Sequence, residues 1–346
     1  MDRSQRRIVI GASAGGVETL KDVVARLPAD LPASVCVVLH VPPYVASSLP
    51  EILSRAGPLP AVNPHDGTTI EAGVIYVAPP DHHLLLEDSV LAVTRGPKEN
   101  RFRPSIDALF RSAAYVYGPS AIGVILSGAL DDGTSGLWSI KRRGGIAIVQ
   151  QPSQARFESM PRTALEYVEV DHHLPATGIG ALLGRLVQEP PVPGGARASD
   201  AETETRLATE VQIATENDSF RKGVMKLGTL TPFTCPECHG VLVRIAEGEM
   251  ARFRCHTGHA YTDSALLEAV MTEAGEMLYQ YMRSLEESVM LLHHMGQHLQ
   301  EAGDAARAEP FFAKSRELEQ RSSTVHAAAL QHESLSGDNL GQEPAG

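Results

Sequence analysis

Residues 7–188 predict a doubly wound α/β fold, a mostly parallel sheet with helices on both faces. Three observations carry this. Short β-branched apolar runs alternate with amphipathic helical stretches. The first run ends in a glycine-rich turn, Ile8-Val9-Ile10-Gly11-Ala12-Ser13-Ala14-Gly15-Gly16, that feeds directly into a helix. Polar side chains fall at the ends of the runs rather than inside them, as expected of strands buried on both faces.

The elements follow in order. A strand over 7–10 leads through the glycine turn to a helix over 16–27. A second strand, 34–40, holds Cys36 as a buried thiol and ends at His40, before Val41-Pro42-Pro43 and a helix over 47–56. The runs 73–78 and 84–94 are joined too tightly for a crossover, which predicts a hairpin and a mixed sheet. A helix over 105–117, a strand over 121–127, a helix over 133–142 and a strand over 145–150 continue the alternation. Helices over 161–168 and 178–188 complete it.

Composition changes after Glu189, where Pro190-Pro191-Val192-Pro193-Gly194-Gly195 forms a breaker cluster. The expected domains are therefore an α/β domain over 1–190, a linker over 191–231, a Cys/His module over 232–262, a helical hairpin or coiled coil over 263–334, and a disordered tail over 335–346. In the helical part, Leu267, Met271, Ala274, Leu278, Tyr281, Leu285, Leu292, Met295 and Leu299 recur in steps of three and four. A second helix is expected from about Pro310, and dimerisation through these helices is one way to satisfy the pattern.

The chain of 346 residues has a net charge of −12. Residues 1–190 hold 17 Lys+Arg against 19 Asp+Glu, so most of the negative charge lies beyond them. No domain is basic enough to track phosphates, so no nucleic-acid partner is expected. The polar N-terminus has no signal-peptide core, and no apolar stretch approaches the roughly 18 residues that span a bilayer. No membrane insertion is expected, and a cytoplasmic location fits the four cysteines, which do not form a disulfide framework.

Three strand ends carry the candidate chemistry: Ser13 after the first, His40 after the second, and Asp131 and Asp132 after Val124-Ile125-Leu126-Ser127-Gly128-Ala129-Leu130. A parallel sheet gathers adjacent carboxyl ends over one crevice. Serine is a weak nucleophile until an imidazole takes its proton and a carboxylate orients that imidazole. All three residue types are present, with the choice between Asp131 and Asp132 open. A dinucleotide-binding oxidoreductase could use the same first turn for a pyrophosphate, but it calls for an acidic residue where the second strand ends in His40. A non-catalytic signalling adaptor is a third reading.

The segments Ile10–Gly16, Leu39–Pro43, Tyr76–His83, Arg103–Phe110, Leu126–Gly133 and Ser159–Arg162 resemble, in order, the catalytic domain of the CheB-type chemotaxis protein-glutamate methylesterases. The resemblance implies a triad of Ser13, His40 and Asp132, Asp131 standing where many members carry Asn. It implies hydrolysis of glutamate γ-methyl esters, with possible glutamine deamidation, on chemoreceptors or a related signalling protein, releasing methanol with no catalytic cofactor. The oxyanion is expected to meet backbone N–H groups of the 13–16 and 128–131 turns. Because the sequence starts at the catalytic strand, no phosphorylatable receiver domain is expected ahead of it.

Cys235-Pro236-Glu237-Cys238, followed after 16 residues by Cys255 and then His259, has the spacing of a closed tetrahedral zinc site. Cys235, Cys238, Cys255 and His259 are the expected ligands of a structural zinc, with His239 and His256 as second choices. The module resembles the zinc-ribbon-like tail of some free-standing relatives of these methylesterases.

Overall fold

The first apolar runs and their helices form β1 (Arg7–Ala12), α1 (Gly16–Val24), β2 (Ser34–Leu39), α2 (Leu49–Ala56), β3 (Ala61–Val62), β4 (Thr68–Thr69) and β5 (Ile75–Val77). They are followed by β6 (His83–Leu86), β7 (Val90–Thr94), α3 (Ile106–Tyr117), β8 (Ala121–Ile125), α4 (Thr134–Arg142) and β9 (Ile146–Gln150). α5 (Ser159–Tyr167), β10 (His172–Leu174) and α6 (Ala176–Leu186) close this part of the chain. The computed structural model describes residues 5–45, 47–191, 201–215 and 219–333.

The principal sheet has seven strands in the order β10-β9-β8-β1-β2-β5-β3, and every neighbouring pair is parallel. The chain winds from β1 to β2 on one side and later returns to β1's other edge with β8. That reversal opens a crevice above the carboxyl ends of β2, β1 and β8. Side chains alternate between two cores. Ile8, Ile10, Val35 and Val37 pack with Leu20, Leu53 and Leu183 of α1, α2 and α6. Val9, Cys36 and Val38 face Leu109, Phe110 and Leu137 of α3 and α4. Burial pushes the Cys36 thiol up to about 12, so it behaves as a packing group.

The expected hairpin between 73–78 and 84–94 does not form. β5 lies between β2 and β3 in the parallel sheet, whereas β6 and β7 make the antiparallel hairpin, beside β4, in a separate three-stranded sheet. The run 84–94 contains its own turn at Glu87-Asp88-Ser89, so one apolar stretch is two strands.

Part of the expected linker is ordered. Residues 201–215 form α7 (Ala201–Thr215), which buries Leu207, Ile213 and Ala214. Glu210 sits in the middle of that stripe and is itself buried, and its charge hid the helical periodicity. Beyond α7, β11 (Thr229–Thr234), β12 (Val241–Glu247), β13 (Met250–Cys255) and β14 (Ala260–Thr262) form a four-stranded antiparallel sheet. Residues up to Ala265 make one compact unit, so the Cys/His module packs with the α/β part rather than standing apart.

A second unit starts at Leu266. α8 (Asp263–Glu301) and α9 (Ala305–Glu333) fold back on each other, with Ser315 Oγ donating to Val289 O and the His293 ring meeting Phe312 edge-on. α9 begins at Ala305, earlier than the expected start at Pro310, because Asp304 caps it by accepting the Arg307 N–H. Of the expected seam, Leu285 is buried while Leu267, Tyr281 and Met295 are exposed. The tail over 335–346 lies outside the described residues. Among the described residues no helix is long and apolar enough to cross a membrane.

Candidate active site

Ser13, His40 and Asp132 meet at the carboxyl ends of β1, β2 and β8. His40 Nδ1 lies 3.0 Å from Ser13 Oγ, and His40 Nε2 lies 2.8 Å from Asp132 Oδ2. The His40 and Asp132 side chains are almost fully buried. The three turns are stitched together by main chain: Ser13 N donates to Ser127 O, His40 N to Ala12 O, and Gly128 N to Phe157 O. Gly15, at φ +71°, takes the left-handed turn that lets α1 begin immediately after the serine.

Asp132 is held from two directions. Its Oδ2 accepts the Ile106 N–H at 2.7 Å, and its Oδ1 accepts Ser105 Oγ at 3.0 Å and Asp107 N at 3.3 Å. These donors are the N-terminus of α3, whose dipole favours a carboxylate there. Asn100 Nδ2 donates to Oδ1 at 2.8 Å. Burial disfavours the charge, but the His40 bond and these donors outweigh it and keep the Asp132 carboxyl below its ordinary range. Beside it, burial and then the Asp132 charge drive Asp107 well above the ordinary range, which disfavours a second charge next to Asp132.

The segments around this site have legible roles. His83, whose burial lowers its pKa to about 4, is a neutral brace: Nε2 donates to Pro97 O and Nδ1 accepts the Ser105 N–H. Arg103 donates to Asp81 Oδ1 and to Gly96 O, fixing the approach to α3. Phe102 stacks on the His40 ring at 3.6 Å between centroids. Asp131 faces elsewhere, accepting Thr262 Oγ1 at 2.8 Å and Ser264 Oγ at 2.6 Å. Ser105, Asn100 and Phe102 went unnoticed as site residues in the sequence. Ser105 had a signal, a serine directly preceding an amphipathic helix, whereas the loop carrying Asn100 and Phe102 had none.

At Gly128 the wall beside the nucleophile has no room for a side chain. A Cβ there would lie 2.6 Å from Met160 Cε and 2.9 Å from Ser13 Cβ. Gly128→Ala is therefore expected to displace Ser13 and lower kcat by about 100-fold, a misplacement of about an ångström being sufficient. Steady-state kinetics checks this, with thermal melts to confirm that the fold is kept.

The donor atoms of Cys235, Cys238, Cys255 and His259 lie within 4.8 Å of one another. Cys238 Sγ and Cys255 Sγ are 3.6 Å apart, and His259 Nδ1 is 3.6 Å from both Cys235 Sγ and Cys255 Sγ. A tetrahedral zinc with ordinary bond lengths requires edges of about 3.8 Å between sulfurs and about 3.5 Å from sulfur to nitrogen. The donor set fits that ion. His239 and His256 lie outside this group, and the His256 ring packs against Gly240, where a Cβ would collide with it.

A hydroxyl, an imidazole and a carboxylate in one hydrogen-bonded series can turn the hydroxyl into a nucleophile toward an acyl group. Comparison with known proteins points to the same chemistry. The CheB methylesterase family profile matches residues 8–183. A "Putative protein-glutamate methylesterase/protein-glutamine glutaminase" of Leptospira interrogans is 40% identical over 182 residues, 52% of this chain and 94% of that protein. A "Protein-glutamate methylesterase/protein-glutamine glutaminase 3" of Anaeromyxobacter dehalogenans is 43% identical over 161 residues, 46% of this chain and 47% of that protein. The crystal structure of the Thermotoga maritima CheB methylesterase catalytic domain superposes with a TM-score of 0.52 at 33% identity, covering 53% of this chain and 99% of that one.

Proposed function

The chain belongs to the CheB methylesterase family, and from that membership we propose that it is a serine hydrolase demethylating glutamate γ-methyl esters, and deamidating glutamines, on chemoreceptors or a related signalling protein. The observation that carries this reading is the unbroken hydrogen-bonded series from Ser13 through His40 to Asp132.

Asp132 holds the His40 tautomer with hydrogen on Nε2, leaving the Nδ1 lone pair aimed at the serine hydroxyl. As Ser13 Oγ attacks the ester carbonyl, Nδ1 takes its proton, and Asp132 stabilises the imidazolium that results. The imidazolium then protonates the departing methoxide, releasing methanol, and water repeats the sequence on the glutamyl-serine to restore both groups. Of the backbone donors expected to meet the oxyanion, Ser13 N, Gly16 N and Gly128 N are already bonded to protein carbonyls. That leaves the Ala14 and Gly15 N–H groups, at the N-terminus of α1, and those of Ala129, Leu130 and Asp131 in the second turn as the donors from which the oxyanion site is built.

The chemistry calls for no cofactor. The four Cys/His donors hold a zinc ion in our reading, and because all four positions are filled by protein its role is structural. Its contribution is to tie the β11–β12 turn to the β13–β14 turn. A cytoplasmic enzyme with a signalling-protein substrate follows from the reading, and the exposed Tyr281 and Met295 of α8 favour dimerisation through the helical hairpin.

A fluorophosphonate probe tests the nucleophile. Labelling that maps by peptide mass to Ser13, and disappears in a Ser13→Ala variant, is expected. Equal labelling of both proteins refutes the assignment.

A further inference from the structure

The loop between β7 and α3 makes two contacts with the triad that no strand end provides: Phe102 stacks on His40, and Asn100 donates to Asp132. Yet the loop itself is held by the Cys/His module. Asn100 N donates to Ala260 O at 2.8 Å, Ala260 N donates to Lys98 O at 3.2 Å, and Thr262 N donates to the Asn100 side-chain oxygen at 3.0 Å. Next to it, Glu99 accepts from Arg254 of β13 at 2.8 Å and pairs with Arg111 of α3.

The bond from Thr262 decides how the Asn100 amide points. With its oxygen occupied by a main-chain N–H, the NH2 group turns to the two carboxyls, one hydrogen on Asp132 Oδ1 and the other on Asp107 Oδ2 at 3.0 Å. A flipped amide would set its oxygen against the Asp132 carboxylate. Asn100 is 3% exposed and adopts φ +50°, a conformation that asparagine tolerates better than most residues. The metal-ligand pair Cys255 and His259 flanks the turn that enters β14, closed by Cys255 N donating to His259 O at 3.0 Å.

We propose that Asn100 is a positioning residue for the esterase and that β14 of the Cys/His module sets it, so that closure of the four-donor site is transmitted to Asp132 and His40. The proposal rests on the esterase and zinc readings above. It makes the module part of the catalytic apparatus without any of its residues touching substrate.

The test follows fluorophosphonate acylation of Ser13 against pH in the full-length, metal-loaded chain. Asn100→Gly keeps the left-handed turn and removes the amide. Asn100→Asp keeps the shape and the Thr262 bond but replaces the donating face with an acceptor. Both are expected to slow acylation about 10- to 100-fold at neutral pH. Both are also expected to move the acid limb of the rate profile to higher pH, since an Asp132 with one donor fewer holds the imidazolium proton more tightly. Cobalt(II) loading, read from its thiolate absorption, reports site occupancy independently of activity. Stripping the metal from the wild type should reproduce the slowing and the shift, and stripping Asn100→Gly should slow it by clearly less than it slows the wild type, because the amide route is already lost while the main-chain and Phe102 contacts remain.

A residue that only fills space predicts an Asn100→Asp variant indistinguishable from wild type, and that result overturns the proposal. So does a multiplicative effect of stripping and Asn100→Gly. Absence of any metal uptake overturns the zinc reading and the transmission with it, while an unreactive Ser13 in the wild type overturns the esterase reading itself.

Discussion

Ser13→Ala abolishes ester turnover while the unit up to Ala265 stays folded. The expected loss in kcat is about 10⁵- to 10⁶-fold, the scale on which a serine hydrolase fails when its nucleophile is removed. The fold survives because the turn is held by main chain, Ser13 N to Ser127 O and Gly16 N to Ser13 O, and those bonds are unaffected by loss of the hydroxyl. Asp132→Asn belongs to the same prediction. It keeps the shape but removes the charge that fixes the His40 tautomer and stabilises the imidazolium, for an expected loss of about 10⁴-fold. Asp131→Asn is the contrast. Its oxygens accept from Thr262 and Ser264 and not from His40, so the expected loss stays within about tenfold. Steady-state hydrolysis of a methyl ester, with thermal melts alongside, ranks the three. A more damaging Asp131→Asn contradicts the assignment.

Glu210→Ala is expected to destabilise the first unit by about 3–5 kcal/mol, measured by urea unfolding. Glu210 is 1% exposed and meets three arginines: Arg252 at 2.6 Å, Arg111 at 3.3 Å and Arg254 at 3.3 Å. Arg252 also bonds Glu247, and Arg254 bonds Glu99. The cluster thus sets three carboxylates against three guanidiniums, with Asp107, whose carboxyl burial pushes well above its ordinary range, beside them. Removing Glu210 leaves a buried positive excess that water cannot reach. Its pH dependence has a definite sign. Burial opposes the charge, but Arg252, Arg111 and Arg254 outweigh it and hold the carboxyl far below its unfolded value near 4.5. The stabilisation is complete above that value and fades as pH falls below it toward the folded value. Urea midpoints for wild type should therefore approach those of Glu210→Ala as the medium is acidified. A constant gap down to the acid transition contradicts this account of the cluster.

The parallel core and the three strand-end residues were legible because each obeys a local rule. β1 is six consecutive buried residues, and Ser13, His40 and Asp132 stand where chain geometry gathers carboxyl ends. The convergence of the Cys/His donors was legible for the same reason: all four come from two short segments, 235–238 and 255–259. What escaped was set by distant partners. α7 was missed because Glu210 interrupts its apolar stripe, and Glu210 is tolerated there through Arg111, Arg252 and Arg254, all distant in sequence. The β5 pairing escaped because Ile75–Val77 is short and its partners Val35–Val37 and Ala61–Val62 are known only in the fold. Asn100 carries no local signature at all. Its role comes from Asp132 and Thr262, 32 and 162 positions away.

Methanol release from membranes carrying methylated chemoreceptors, compared between wild type and Ser13→Ala, separates demethylation by this serine from every other reading of the triad. The wild type is expected to release methanol and Ser13→Ala to release none. Equal release by both, or none from a wild type whose Ser13 reacts with a fluorophosphonate, would contradict demethylation of chemoreceptors by this serine.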